Sequence, residues 1–90
     1  MNNGLEFKVN RIHKLNKDGS TVAFVDLNVN DCVVIKGLRI VRGKKGMFVS
    51  MPQEKGKDNQ WYNTVHFLSK DLERTVNDCV LSAYSEQFSG

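Results

Sequence analysis

Between Thr21 and Pro52 apolar residues largely alternate with polar ones, in three runs separated by turn-forming residues. A period of two is what a strand with one buried face imposes, because successive side chains point to opposite sides of a sheet. In "TVAFVDLNV" (21–29), Ala23, Val25, Leu27 and Val29 share one face, while Val22 and Phe24 give way to Asp26 and Asn28 on the other. "NDCVVIKGLRIVRG" (30–43) supplies the next strand and "GKKG" (43–46) a turn bounded by glycines. "MFVSMP" (47–52) is a further strand ending at Pro52, which has no N–H to give a ladder. Hairpin-connected, half-buried, antiparallel strands are the fold such a pattern allows.

The flanking segments extend this reading. "LEFKVNRIHKL" (5–15) alternates through Leu5, Phe7 and Val9 and then steps to Ile12, which points either to a bulge near Asn10-Arg11 or to strand fraying. In "NKDGS" (16–20) the Asp18-Gly19 pair supplies the positive φ of a tight hairpin turn. "QEKGKDN" (53–59) reads as a mobile polar loop, and "QWYNTVHFL" (60–68) as a fifth strand rich in strand formers. In "SKDLERTVNDCVLSAYSEQF" (69–88), Ser69 is a good N-cap and Asp71 and Glu73 sit where the helix dipole favours negative charge. Leu72, Val76, Cys79, Val80, Ala83 and Tyr84 recur at three and four, a single apolar stripe. The expected fold is α+β: a small antiparallel five-stranded sheet with one C-terminal helix packed across it. Residues 1–90 form a single domain, with strands over 5–67 and the helix over 69–88. A chain of 90 residues buries only about 60–65% of its unfolded surface, so its stability is expected to be modest or supplemented by self-association.

Charge is distributed unevenly along this frame. The net charge is only +3, yet residues 32–57 hold seven basic side chains against the single acid Glu54, between a neutral N-terminal and an acidic C-terminal segment. Strict alternation in the 33–43 strand would bury one of its charges, at considerable cost. A bulge at Gly37 removes that conflict by sending Ile35, Leu38 and Ile40 inward and leaving Lys36, Arg39 and Val41 outward. Lys36, Arg39, Arg42, Lys44, Lys45, Lys55 and Lys57 then occupy one strand, its hairpin tip and the following loop. Positive groups at that density can follow a phosphate backbone and release counterions, and arginine can also grip phosphate bidentately. The competing reading is a solvated strand edge whose lysines deter aggregation.

Trp61 and Tyr62 follow the basic loop. Beside cations they can form a stacking platform for single-stranded bases; otherwise they fill a core or a subunit interface, and alternation lets only one face each way. Phe48 reads as a packing residue. Cys32 and Cys79, among apolar neighbours, read as buried reduced thiols, and with His13 and His66 they show no C-x-x-C spacing of a zinc knuckle. "GKKG" lacks the frame of a phosphate-cradling loop, and no nucleophile–base motif is present, so an enzyme is not expected. Nothing in the residues points to a cofactor, a small-molecule substrate or a membrane. "MNNGLEFKVN" has no apolar h-region, which makes the cytoplasm the expected location.

The turn and strand "NKDGSTVAFVDLNVND", followed by "VVIKGLRIVRGKKGMFVSMP", resembles the SpoVG family, named for stage V sporulation protein G. Its most specific element is "GMFVSMP", where the family typically reads G-L-F-V-A-M-P; His66 and the helical "VNDCVLSAY" continue the match to about residue 85. The resemblance implies an antiparallel sheet with a closing helix, a homodimer, and a site-preferring DNA- and RNA-binding regulator acting in septation or sporulation. It gives Arg39, which matches the family pattern, the greatest weight; Lys70 and Arg74, the latter displaced by one from the family's position, are added as helix contributors to nucleic-acid binding on the residues themselves. Departures from the pattern are Gln53-Glu54 after the M-P pair, Phe67 in place of proline, and Glu73 and Thr75 where family members often carry Arg and Lys. The alternative is a protein-interaction adaptor of cell-division control that touches no nucleic acid.

Overall fold

The structure, a computed structural model, describes residues 4–15 and 19–88. Strands β1 (Phe7–Lys14), β2 (Thr21–Val29), β3 (Val33–Gly43) and β4 (Gly46–Ser50) form an antiparallel sheet in sequence order. Strands β5 (Gln53–Lys55) and β6 (Trp61–Asn63) pair only with each other, and helix α1 (Lys70–Phe88) closes the chain. The expected single five-stranded sheet is therefore corrected to four strands plus a separate two-stranded hairpin. Pro52 is the physical reason: it is buried, cannot extend the β4 ladder, and turns the chain off the sheet. The segment expected to be a loop supplies β5, and only three residues of the expected fifth strand pair with it. The amide of Thr64 donates to the Pro52 carbonyl at 2.8 Å and ties the base of this hairpin.

Three bulges place the side chains. Between Val9 and Arg11 the register with β2 shifts by one, so Val9 and Ile12 share the inner face, as the bulge reading of the odd-to-even step predicts. Between Ile35 and Leu38 the pair Lys36-Gly37 stands opposite Asp26 alone, with Gly37 at φ 93°. Leu38 and Ile40 are fully buried and Lys36 is exposed, the outcome expected of a bulge there. The third was not foreseen. Val22 is an extra residue between Thr21 and Ala23 and is buried beside Ala23, rather than on the outer face with Phe24. The Asp18-Gly19 turn lies partly outside the described residues; beyond it the Leu15 amide donates to the Val22 carbonyl at 2.9 Å.

Val22, Ala23, Val25, Leu27, Leu38 and Ile40 from the sheet meet Val76 and Val80 of α1 in one core. The helix starts where its cap dictates, the Leu72 amide donating to Ser69 Oγ at 3.3 Å. It is pinned at both sheet edges. Asn77 Oδ1 accepts the Val49 amide of β4 at 3.0 Å, and the Cys79 thiol donates to the Phe7 carbonyl of β1 at 3.5 Å. At its C-terminal end the Lys14 ammonium stands 5.3 Å from the centre of the Phe88 ring. Phe67, in the connection before the helix, packs edge-on against Phe7 with ring centres 5.9 Å apart. Of the two thiols expected in the core, Cys79 is half-buried, where desolvation raises its pKa, and Cys32 is exposed in the β2–β3 turn. The reason for the second is that Asn30 and Asp31 both take positive φ, folding Cys32 out of any strand before β3 begins.

Candidate nucleic-acid interface

Because α1 covers the face that carries Val25, Leu27, Leu38 and Ile40, the opposite face of the four-stranded sheet has no helix on it. Register assigns its side chains. His13, Phe24, Arg39 and Ser50 form one row across β1 to β4, with Val41 and Phe48 paired in the row beside it. Arg39 therefore does face outward, away from the core. Its Nη2 donates to Ser50 Oγ at 3.3 Å and to Gln53 Oε1 at 3.1 Å, two neutral acceptors that orient the guanidinium, and no described carboxylate stands within 4.0 Å of it.

The other candidates spread from that point. Arg42, three residues along the same strand, has the opposite parity and projects on the helix side, exposed. Lys44 and Lys45 are the exposed tip of the β3–β4 turn. Lys55 lies directly across from Trp61 in the β5–β6 hairpin, and Lys57 is in its turn. Lys70 and Arg74, on the first turns of α1, line a cleft of about 520 Å³ with Phe48, Gln53 and Asn63. Glu73 lines the same cleft, so an acid stands beside those two cations. Gln53 links this cleft to the sheet face, since it also holds Arg39.

Among the described residues two ion pairs form. Lys8 Nζ meets Asp31 Oδ1 at 2.9 Å, which raises the Lys8 pKa through hydrogen bonding and charge, and Arg74 Nη1 stands 3.8 Å from Asp71 Oδ1. Of the nine candidate cations only Arg74 is thus within 4.0 Å of a described carboxylate. Counting charge by segment missed Arg11, whose charge the acids of the N-terminal third cancel in the sum, and His13, which is neutral in it; both share the outer face, where Asp26 stands opposite Arg11. Strand parity alone, read through the Asn10 bulge, is the signal that finds them.

The aromatic pair resolves as alternation demands. Neither residue reaches the core: Trp61 is 62% exposed and Tyr62 52%. The Tyr62 hydroxyl donates to Asp58 Oδ2, which lowers the Asp58 pKa and raises that of Tyr62. Its ring lies across Gly56, where any Cβ would come within 2.8 Å of it. Tyr62 therefore closes the hairpin turn, while Trp61 points to the sheet and lines a cavity with Phe24 and Arg39. Phe48, expected to pack, is 47% exposed on the same open face, since no element covers it.

Fold and surface together define a small sheet-and-helix domain with one sheet face free of the helix and a set of basic side chains that the described acids leave largely unneutralised. The chain belongs to the SpoVG family, whose model matches residues 6–86. It is 38% identical over 77 residues to a SpoVG protein of Archaeoglobus fulgidus that is named for septation, an alignment spanning 86% of this chain and 91% of that one. SpoVG proteins of Staphylococcus carnosus and Staphylococcus aureus, named in the same way, are each 30% identical over 76 residues, 84% of this chain and 71% and 76% of theirs. Among the described residues no helix is long and apolar enough to cross a membrane.

Proposed function

We propose that this chain is a cytoplasmic, homodimeric regulatory protein that binds DNA or RNA at preferred sites and acts in the control of septation or sporulation. The observation that carries the reading is the unpaired state of Lys36, Arg39, Arg42, Lys44, Lys45, Lys55, Lys57 and Lys70 among the described residues. A surface that served only solubility would gain from interspersed acids, whereas phosphate binding requires cations free to exchange their counterions for a backbone. The septation role rests on the names of the relatives. Self-association is supported by apolar side chains left in water: Met47 and Phe48 on edge strand β4, and Leu68, 96% exposed, just before the start of α1. Two copies carry twice the +3 of one chain.

Arg39, Arg42, Lys44, Lys45, Lys55 and Lys57 are assigned to phosphates, with Lys36, Lys70 and Arg74 contributing at the margins. A gel-shift panel of single- and double-stranded DNA and RNA tests this, with Lys44→Glu/Lys45→Glu as the control. Both positions are exposed turn residues, so the double variant is expected to lose binding at an unchanged melting temperature. Self-association without binding to any nucleic acid at low salt would instead establish the adaptor reading, which the exposed Leu68 also suits.

A further inference from the structure

Between the bare sheet face and the β5–β6 hairpin lies a cavity of about 580 Å³, lined by Thr21, Phe24, Gly37, Arg39, Gln53 and Trp61. We infer that it receives one unpaired base of a single-stranded nucleic acid, stacked on Trp61 and Phe24 with Arg39 beneath. This deepens the proposed nucleic-acid binding and rests on it. The volume lies within the range of about 300–1,000 Å³ common to small-ligand sites. Its walls are two aromatic rings left in water, Trp61 and the 42% exposed Phe24, together with a guanidinium that no described carboxylate neutralises. Aromatic faces beside cations accept any base, because every base offers a π-face, and arginine adds either stacking or a phosphate grip.

The site is organised before any ligand arrives. Ser50 and Gln53 hold the Arg39 guanidinium, and Tyr62, locked on Asp58 and across Gly56, sets the hairpin that carries Trp61. Lys55, cross-strand from Trp61, and Lys36 beside Gly37 are exposed cations placed for the phosphates flanking an inserted base. The acids nearby are Asp26, opposite Arg11, and Glu54, opposite Tyr62; neither lines the cavity. A base inside a duplex is paired and stacked on its neighbours and cannot enter the cavity these rings line, so the site selects single strands.

Trp61 is the only tryptophan of the chain, which makes it its own probe. The full chain is titrated with a mixed-sequence single-stranded oligonucleotide, the matching duplex and a mononucleotide, reading tryptophan fluorescence corrected for absorbance. The expected result is saturable quenching by the single strand, little by the duplex, and none by the mononucleotide at equal concentration. Trp61→Ala is expected to raise the single-strand Kd by about 5- to 150-fold, with Trp61→Phe recovering most of the loss and duplex affinity within about twofold of the parent. Single strands that bind without quenching, together with a neutral Trp61→Ala, overturn the base site while leaving phosphate binding intact. Equal quenching by the mononucleotide overturns it in favour of a nucleotide pocket. Absence of binding to every nucleic acid removes the proposed function and this site with it.

Discussion

At φ 93°, Gly37 holds backbone space that L side chains rarely adopt, although there is room beside it: a Cβ there would meet Pro52 at 3.7 Å, an ordinary contact. Gly37→Ala therefore isolates backbone strain and is expected to cost about 1–3 kcal/mol in urea unfolding with an unchanged slope. Gly56 is the opposite case, fixed by the close approach of Tyr62 and not by its φ. The Tyr62–Asp58 hydrogen bond makes the hairpin turn sensitive to pH at both ends. Asp58 is held below its ordinary range, so its contribution is complete above about pH 4 and fades as pH falls through the lowered value. Tyr62 is raised, so its contribution is complete below about pH 10 and fades as pH climbs through the raised value. Exchange protection of the Gly56 amide, bonded to the Gln60 carbonyl at 2.7 Å, is expected to hold between those limits and weaken outside them. Tyr62→Phe is expected to lower that protection throughout.

Among the elements, α1 decides which sheet face is buried, and two contacts show how. Val80 is fully buried against the sheet, and Val80→Ala is expected to destabilise by about 2–3 kcal/mol through lost methyl burial and a residual cavity. Asn77→Ala leaves the β4 amide of Val49 without its acceptor, at a cost of about 1 kcal/mol, and frees part of the sheet edge for pairing with another chain. Urea unfolding measures the first effect, and concentration-dependent sedimentation the second. The helix, its Ser69 cap, the first four strands and the bulges at Asn10 and Gly37 were legible in the sequence, because local periodicity and one chain-breaking glycine specify each of them. The separate hairpin was not. Its two strands pair only with each other, over three residues apiece, and a short polar run before a turn looks the same whether it is ordered or loose. Val22 was misplaced for a similar reason: its bulge exists only relative to β3, so no pattern within β2 reveals it. Of the site, the outward setting of Lys36 and Arg39 followed from the Gly37 bulge, whereas the turn of Arg42 to the helix side was lost in a count of charges. The cavity under Trp61 depended on where Pro52 sends the chain.

For the whole molecule the governing feature is asymmetry. One sheet face is spent on the helix core, and the other carries aromatic and basic side chains with Asp26 among them. The cations run from that face through the β3–β4 tip and the β5–β6 hairpin to the start of α1, with Arg42 turned to the helix side. A single protomer therefore presents several short basic segments, and self-association is what would join them into a longer track. Sedimentation equilibrium is expected to show a dimer, weakened when Leu68, 96% exposed, is replaced by Asp. The most direct test is the salt dependence of nucleic-acid affinity for the intact chain. If the dimer engages six or more phosphates, the affinity is expected to fall by about 10³-fold or more between roughly 50 and 200 mM salt, with the slope reduced in Lys44→Glu/Lys45→Glu. An affinity that stays flat across that range, or no binding at its lower end, would contradict the assignment of these cations to phosphates.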